Sequence, residues 1–102
     1  LPALAGVLAP GADVVVLVKP QFEVGRGRVG RGGLVTDPAL HQACLRAVAL
    51  ESQPLGFAVR AACPSPITGA EGNREFFLHL RLGPPPTPPE AIDAMIEAAV
   101  AK

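Results

Sequence analysis

The run Val14 to Val18, VVVLV, followed at once by Lys19 and Pro20, constrains the fold more than any other part of the chain. β-Branched and leucine residues in unbroken succession are apolar on both faces of a strand, the pattern of an interior parallel strand covered by helices on either side. A lysine is not tolerated inside such a layer. Lys19 is therefore expected where the strand emerges at its carboxyl end, the edge at which open α/β sheets place their ligands. Pro20 has no N–H to give a ladder and ends the strand. A strand-end lysine also snorkels to water with no further role, and the run alone leaves both readings open.

A second apolar strand, EFFLHLRL from Glu75 to Leu82, opens on a carboxylate and follows the turn-rich stretch PSPITGAEGN. Before that stretch a strand is expected from Phe57 to Ala62, with Arg60 on an exposed face at a sheet edge. One helix lies between the first two strands. Thr36 or Asp37 caps it, Pro38 suits its first turn, and Leu40, Ala43, Cys44, Ala47 and Val48 make its apolar stripe. Pro54 and Gly56 end it. The order is strand, helix, strand, short return, strand. If the return is a hairpin, the last strand runs antiparallel to its neighbours and begins at the edge where they end, which brings Glu75 to Lys19.

His41 falls beside the helix stripe and is expected to be partly exposed and hydrogen-bonded. His79 shares strand parity with Glu75, Phe77 and Arg81 and is read as structural; no second histidine or cysteine stands at ligand spacing, so no metal site is expected. Cys44 and Cys63 show no CxxC spacing and read as reduced core residues of a cytoplasmic protein. Gly25 to Gly33, GRGRVGRGG, formally contains GxGxxG, but a nucleotide fingerprint needs its glycines directly after a strand and opening a helix. The stretch is better read as a loop bearing Arg26, Arg28 and Arg31, and polar connectors of this kind often have no function. Beyond Leu82, GPPPTPP is a stiff connector. The final helix then has Thr87 and Glu90 as a capping box, with Ile92, Met95, Ile96, Ala99 and Val100 as a stripe that docks on its own domain. The division expected is 1–83 for the main domain and 84–102 for connector and helix.

With 102 residues, 49% of them hydrophobic, and a formal net charge of zero, the chain suits one small domain with a modest core. No apolar stretch approaches the ~20 residues that span a bilayer. The opening LPALAGVLAPGA lacks the basic region of a signal peptide and reads as the end of a helix, so the chain is expected to be the later part of a longer one.

The words KPQFE, GRGRVGRGG, DPALH and PSPITGAEGNREFFLHL, in this order, resemble the carboxyl-terminal half of the TlyA-type RNA methyltransferases, relatives of the FtsJ-like ribose 2'-O-methyltransferases. The resemblance runs from about Leu1 to Leu82. It implies the carboxyl-terminal half of a Rossmann-like α/β methyltransferase sheet, its last strand antiparallel between the other two. In that family a Lys-Asp-Lys-Glu tetrad surrounds the target hydroxyl; Lys19 matches the third member and Glu75 the fourth. The first lysine, the aspartate and the residues binding S-adenosylmethionine are expected upstream of Leu1. The implied substrate is ribosomal RNA or a ribosomal subunit, whose phosphates Arg26, Arg28 and Arg31 would hold. Lys19 is either a neutral general base or a charged group that stabilises the alkoxide, and a nearby carboxylate favours the charged form. Two rival readings remain. A non-catalytic RNA-binding module needs neither Lys19 nor Glu75. A membrane-active haemolysin-like protein, a label TlyA-like proteins also carry, calls for a spanning segment or a cationic amphipathic helix, and the last helix has a single lysine at its end.

Overall fold

The computed structural model describes residues 8–23, 35–69 and 72–102. In chain order the elements are β1 (Asp13–Val18), α1 (Pro20–Glu23), α2 (Pro38–Ser52), a 3-10 turn (Gln53–Leu55), β2 (Phe57–Pro64), β3 (Phe76–Leu82) and α3 (Pro89–Ala101). The three strands form one sheet in the order β1-β3-β2, with β3 antiparallel to both neighbours. The expected hairpin return and the central place of the last strand are thus both present.

One face of the sheet carries the core. Val18 of β1, Phe57 and Val59 of β2, and Phe76, Leu78 and Leu80 of β3 pack against Cys44, Leu45 and Ala49 of α2 and Ile92, Ile96 and Val100 of α3. The final helix docks on its own sheet, as its stripe predicts, and Arg46 of α2 reaches Asp93 of α3 at 2.7 Å. The expectation that β1 is covered on both faces is not met among the described residues. Val15 and Leu17 are 65% and 42% exposed. The reason is topological: α2 crosses from β1 to β2 on one side of the sheet, and α3 packs beside it on that same side.

Helix α2 begins as expected. Asp37 is its N-cap and accepts the Ala39 N–H at 2.9 Å, with Pro38 in the first turn. Gly56 closes the following turn at φ 97°, a conformation that favours glycine. The buried face of α2 is rotated from the expected stripe, however. Ala43 and Ala47 are exposed, while His41, Cys44, Leu45, Ala49 and Ser52 are buried. Alanines bury little area, so the fully buried Leu45 sets the rotation. His41 and Ser52 come inward with it, each hydrogen-bonded to a backbone carbonyl.

The expected capping box is also replaced. The N-cap of α3 is Pro88, without a side-chain cap bond. Thr87 instead turns to β2, where its hydroxyl accepts the Val59 N–H at 2.8 Å and donates to the Val59 carbonyl at 2.7 Å. The β2–β3 register shifts between Val59 and Ala61, and such irregularities leave backbone groups in need of other partners. Thr87 meets both needs of a residue that is 1% exposed. Thr87→Val keeps the shape and removes the hydroxyl. It is expected to lose about 1–3 kcal/mol of stability, the usual cost of unpaired buried polar groups, measured as a lower denaturant midpoint.

Candidate active site at the edge shared by β1 and β3

The ladder between β1 and β3 ends at Val18 opposite Phe76. Carried one residue further, the same register sets the backbone of Lys19 across from that of Glu75. The strand end, the hairpin and the antiparallel return together bring these two positions to one edge. Lys19 is half-buried there, and Glu75 is 8% exposed.

A carboxylate this buried needs a hydrogen-bond donor. Gln21 supplies one: its Nε2 donates to Glu75 Oε2 at 3.0 Å. Pro20 explains how Gln21 arrives there. The ring that ends β1 also has the backbone angle of a first helical residue, so the chain turns at once into α1. Sequence reading missed both α1 and Gln21. The available signal was the polar residue directly after the proline in KPQFE. The other amide atom of Gln21, Oε1, is buried with no partner among the described residues.

The segment before β3 is held from several sides. Glu75 accepts the Ser65 N–H on its carbonyl at 2.8 Å, and Asn73 accepts the Gly69 N–H at 2.7 Å. Asn73 is 1% exposed, and its Oδ1 accepts the Val35 N–H at 2.7 Å. Arg74 turns away toward α3, donating to the Val100 carbonyl at 2.8 Å with its guanidinium 5.0 Å from the centre of the Phe76 ring. A cation bonded to a last-turn carbonyl also suits the negative end of the helix dipole.

His41 corrects the expectation of partial exposure. It is 3% exposed, because the rotation of α2 carries it inward. Its Nε2 donates to the Val35 carbonyl at 2.9 Å. His79 lies 2.9 Å from Asp13 Oδ1 on the open sheet face, remote from the Lys19 edge and in keeping with a structural role. Cys44 is in the core as expected, but Cys63 is exposed. Strand alternation puts Cys63 on the uncovered face, beside a shallow cleft with Val15, Ala61, Phe77 and His79. Arg26, Arg28 and Arg31 lie outside the described residues. Among the described residues no three His, Cys, Asp or Glu side chains group as metal ligands, and no helix is long and apolar enough to cross a membrane.

Gly69 shows how closely the carboxylate is confined, since a Cβ built there would overlap the end of the Glu75 side chain. The obstacle is the tip of a side chain, not backbone, so the fold can yield while the carboxylate cannot stay in place. Gly69→Ala is expected to keep the melting temperature within a few degrees and to break the Gln21–Glu75 bond, as seen in a crystal structure of the variant.

Comparison with known proteins shows the family. The model of the FtsJ-like methyltransferases matches residues 4–82. The chain is 52% identical over 81 residues to the 16S/23S rRNA (cytidine-2'-O)-methyltransferase TlyA of Mycobacterium tuberculosis, covering 79% of this chain and 30% of that protein. To a Bacillus subtilis protein provisionally named rRNA methyltransferase YqxC it is 48% identical over 80 residues, covering 78% of this chain and 28% of the relative. A solved structure from Streptococcus thermophilus, provisionally described as a hemolysin, superposes with a TM-score of 0.82 at 40% identity, covering 96% of this chain and 36% of its own. The chain thus spans less than a third of the length of these curated relatives. On the match across residues 4–82, the chain belongs to the FtsJ-like methyltransferase family.

Proposed function

We propose that this chain is the carboxyl-terminal part of a Rossmann-like, S-adenosylmethionine-dependent methyltransferase that modifies a ribose 2'-hydroxyl of ribosomal RNA. The observation that carries the reading is the register Val18 to Phe76, which aligns Lys19 with Glu75 at one sheet edge. The burial of Glu75 and its bond from Gln21 add weight. An RNA-binding module without catalysis has no use for a carboxylate held in this way.

S-adenosylmethionine is assigned to the part of the protein upstream of Leu1. Of two clefts formed by the described residues, one is lined by Pro10, Phe57 and Leu82 at the far end of the sheet and the other by Val15, Phe77 and His79 on its open face. Neither lies at the Lys19 edge. When bound, the cofactor supplies an activated sulfonium methyl group. What remains for this chain is the acceptor side: a ribose hydroxyl is a weak nucleophile until its proton is drawn away and its oxygen aligned. Lys19 does this either as a neutral amine that takes the proton or as an ammonium that stabilises the alkoxide. Glu75 orients Lys19, and Gln21 orients Glu75. Arg26, Arg28 and Arg31 hold phosphates of the RNA.

In the full-length protein Lys19→Ala is expected to lower single-turnover methyl transfer to ribosomal RNA by about 10²–10⁴-fold, the range of acid-base assistance, with the fold intact. Near-normal rates would remove Lys19 from the mechanism. Lys19→Arg separates the two roles, because arginine stays charged: substantial retained activity marks the electrostatic role, and loss as deep as that of alanine marks the base. The triple change Arg26→Ala, Arg28→Ala, Arg31→Ala is expected to weaken RNA binding and flatten its dependence on salt, since fewer counterions are released. Affinity for S-adenosylmethionine should stay unchanged in the same calorimetric titrations.

A further inference from the structure

Two polar side chains near the Lys19 edge are buried more deeply than Glu75 itself: Asn73 at 1% and His41 at 3% exposed. Both are spent on one residue. Asn73 Oδ1 accepts the Val35 N–H at 2.7 Å, and His41 Nε2 donates to the Val35 carbonyl at 2.9 Å. Val35 is itself 2% exposed, and with both backbone groups held from different elements it is fixed as firmly as a residue within a ladder. Because the carbonyl only accepts, His41 carries its proton on Nε2. Its Nδ1 is then a buried acceptor, and it has no partner among the described residues. An unmet buried acceptor is costly, but an apolar residue here would leave the buried Val35 carbonyl unmet instead.

The same imidazole packs on the Phe76 ring, with centroids 5.5 Å apart and planes at 53°. Asn73 and Phe76 flank Glu75 in the chain. The first turn of α2 therefore reaches side chains on both sides of Glu75, that of Asn73 through Val35 and the aromatic ring of Phe76 directly. Val35 also directly follows the segment that carries Arg26, Arg28 and Arg31.

We infer that His41 is a positioning residue of the reaction: through Val35 and Asn73 on one side and Phe76 on the other, it sets Glu75 against Lys19. The inference rests on the methyltransferase reading above. It gives a role to the two contacts by which this buried histidine reaches the residues on either side of Glu75. Its effect falls on the acceptor side of the reaction and leaves cofactor binding alone.

The test compares His41→Gln with His41→Leu in the full-length protein, using ribosomal RNA and labelled S-adenosylmethionine. Glutamine keeps an N–H at similar reach; leucine fills the space without one. The expected result is a loss of about 10–100-fold in kcat for His41→Leu, the scale of a small misplacement of reacting groups. The KM for S-adenosylmethionine should be unchanged, and His41→Gln should recover most of the rate at a similar melting temperature. Wild-type kcat in His41→Leu overturns the inference. So does equal loss in both variants that follows their melting temperatures. Should leucine prevent folding, Asn73→Asp, which keeps an oxygen for the Val35 N–H, is compared with Asn73→Ser, which is too short to reach it. More turnover in the aspartate variant supports the clasp, and equal turnover overturns it. The two levels of failure are distinct: a wild-type protein that transfers no methyl group ends the methyltransferase reading before any variant is made, whereas an active wild type matched by His41→Leu ends this inference alone.

Discussion

β3 runs against both of its neighbours and so begins where β1 stops, with its pairing fixed from Asp13 opposite Arg81 to Val18 opposite Phe76. Apolar burial sets that register. Phe76, Leu78 and Leu80 are each fully buried on the helix-covered face, and burying a side chain of this kind contributes about 1.5–3 kcal/mol. A slip of one residue would turn all three to the open face. It would also move Glu75 away from Lys19. The polar alignment at the edge is thus enforced by apolar residues that take no part in it, and the sheet cannot relax one without losing the other.

The surroundings of Glu75 follow from a second constraint, the cost of removing a carboxylate from water. Its side-chain partner is the neutral amide of Gln21, which directs the carboxylate without cancelling its charge. Arg74, the residue before Glu75 in the chain, is turned toward the end of α3, and Arg46 bridges the helices. The glycine at 69 completes the enclosure, since any side chain there would need the space the carboxylate occupies.

Much of this could be read from residue order. The strands, the hairpin and the convergence of positions 19 and 75 follow from apolar alternation, from Pro20 and from the turn residues of PSPITGAEGN, all of which act locally. What escaped is settled by distant partners. The rotation of α2 depends on Leu45 finding the sheet, and the evenly spaced alanines gave a stripe of nearly equal merit one residue away. Thr87 and Glu90 fit a local capping pattern, but the threonine is claimed by Val59, 28 positions back. Gln21 looked like an ordinary polar residue because Glu75 comes near only once the sheet has closed, and His41 did so because it reaches Val35, six residues back, only through the rotation of α2. The basic stretch with Arg26, Arg28 and Arg31 could be recognised by composition, and it lies outside the described residues.

The central strand is also the last strand in the chain. β1 and β2 are separated in the sheet by β3 and share no ladder, so within this segment nothing joins the two until the residues after 70 have been made. Closing such long-range pairings is slow, and unpaired apolar strands are prone to aggregate while they wait. During that interval α2 has its local cap at Asp37 and is free to form, but the central strand of the face it packs against is not yet in place. The order of synthesis therefore places Lys19 early and Glu75 late, and the two positions reach one edge in a single event, when the segment from Asn73 to Leu82 inserts between strands already made.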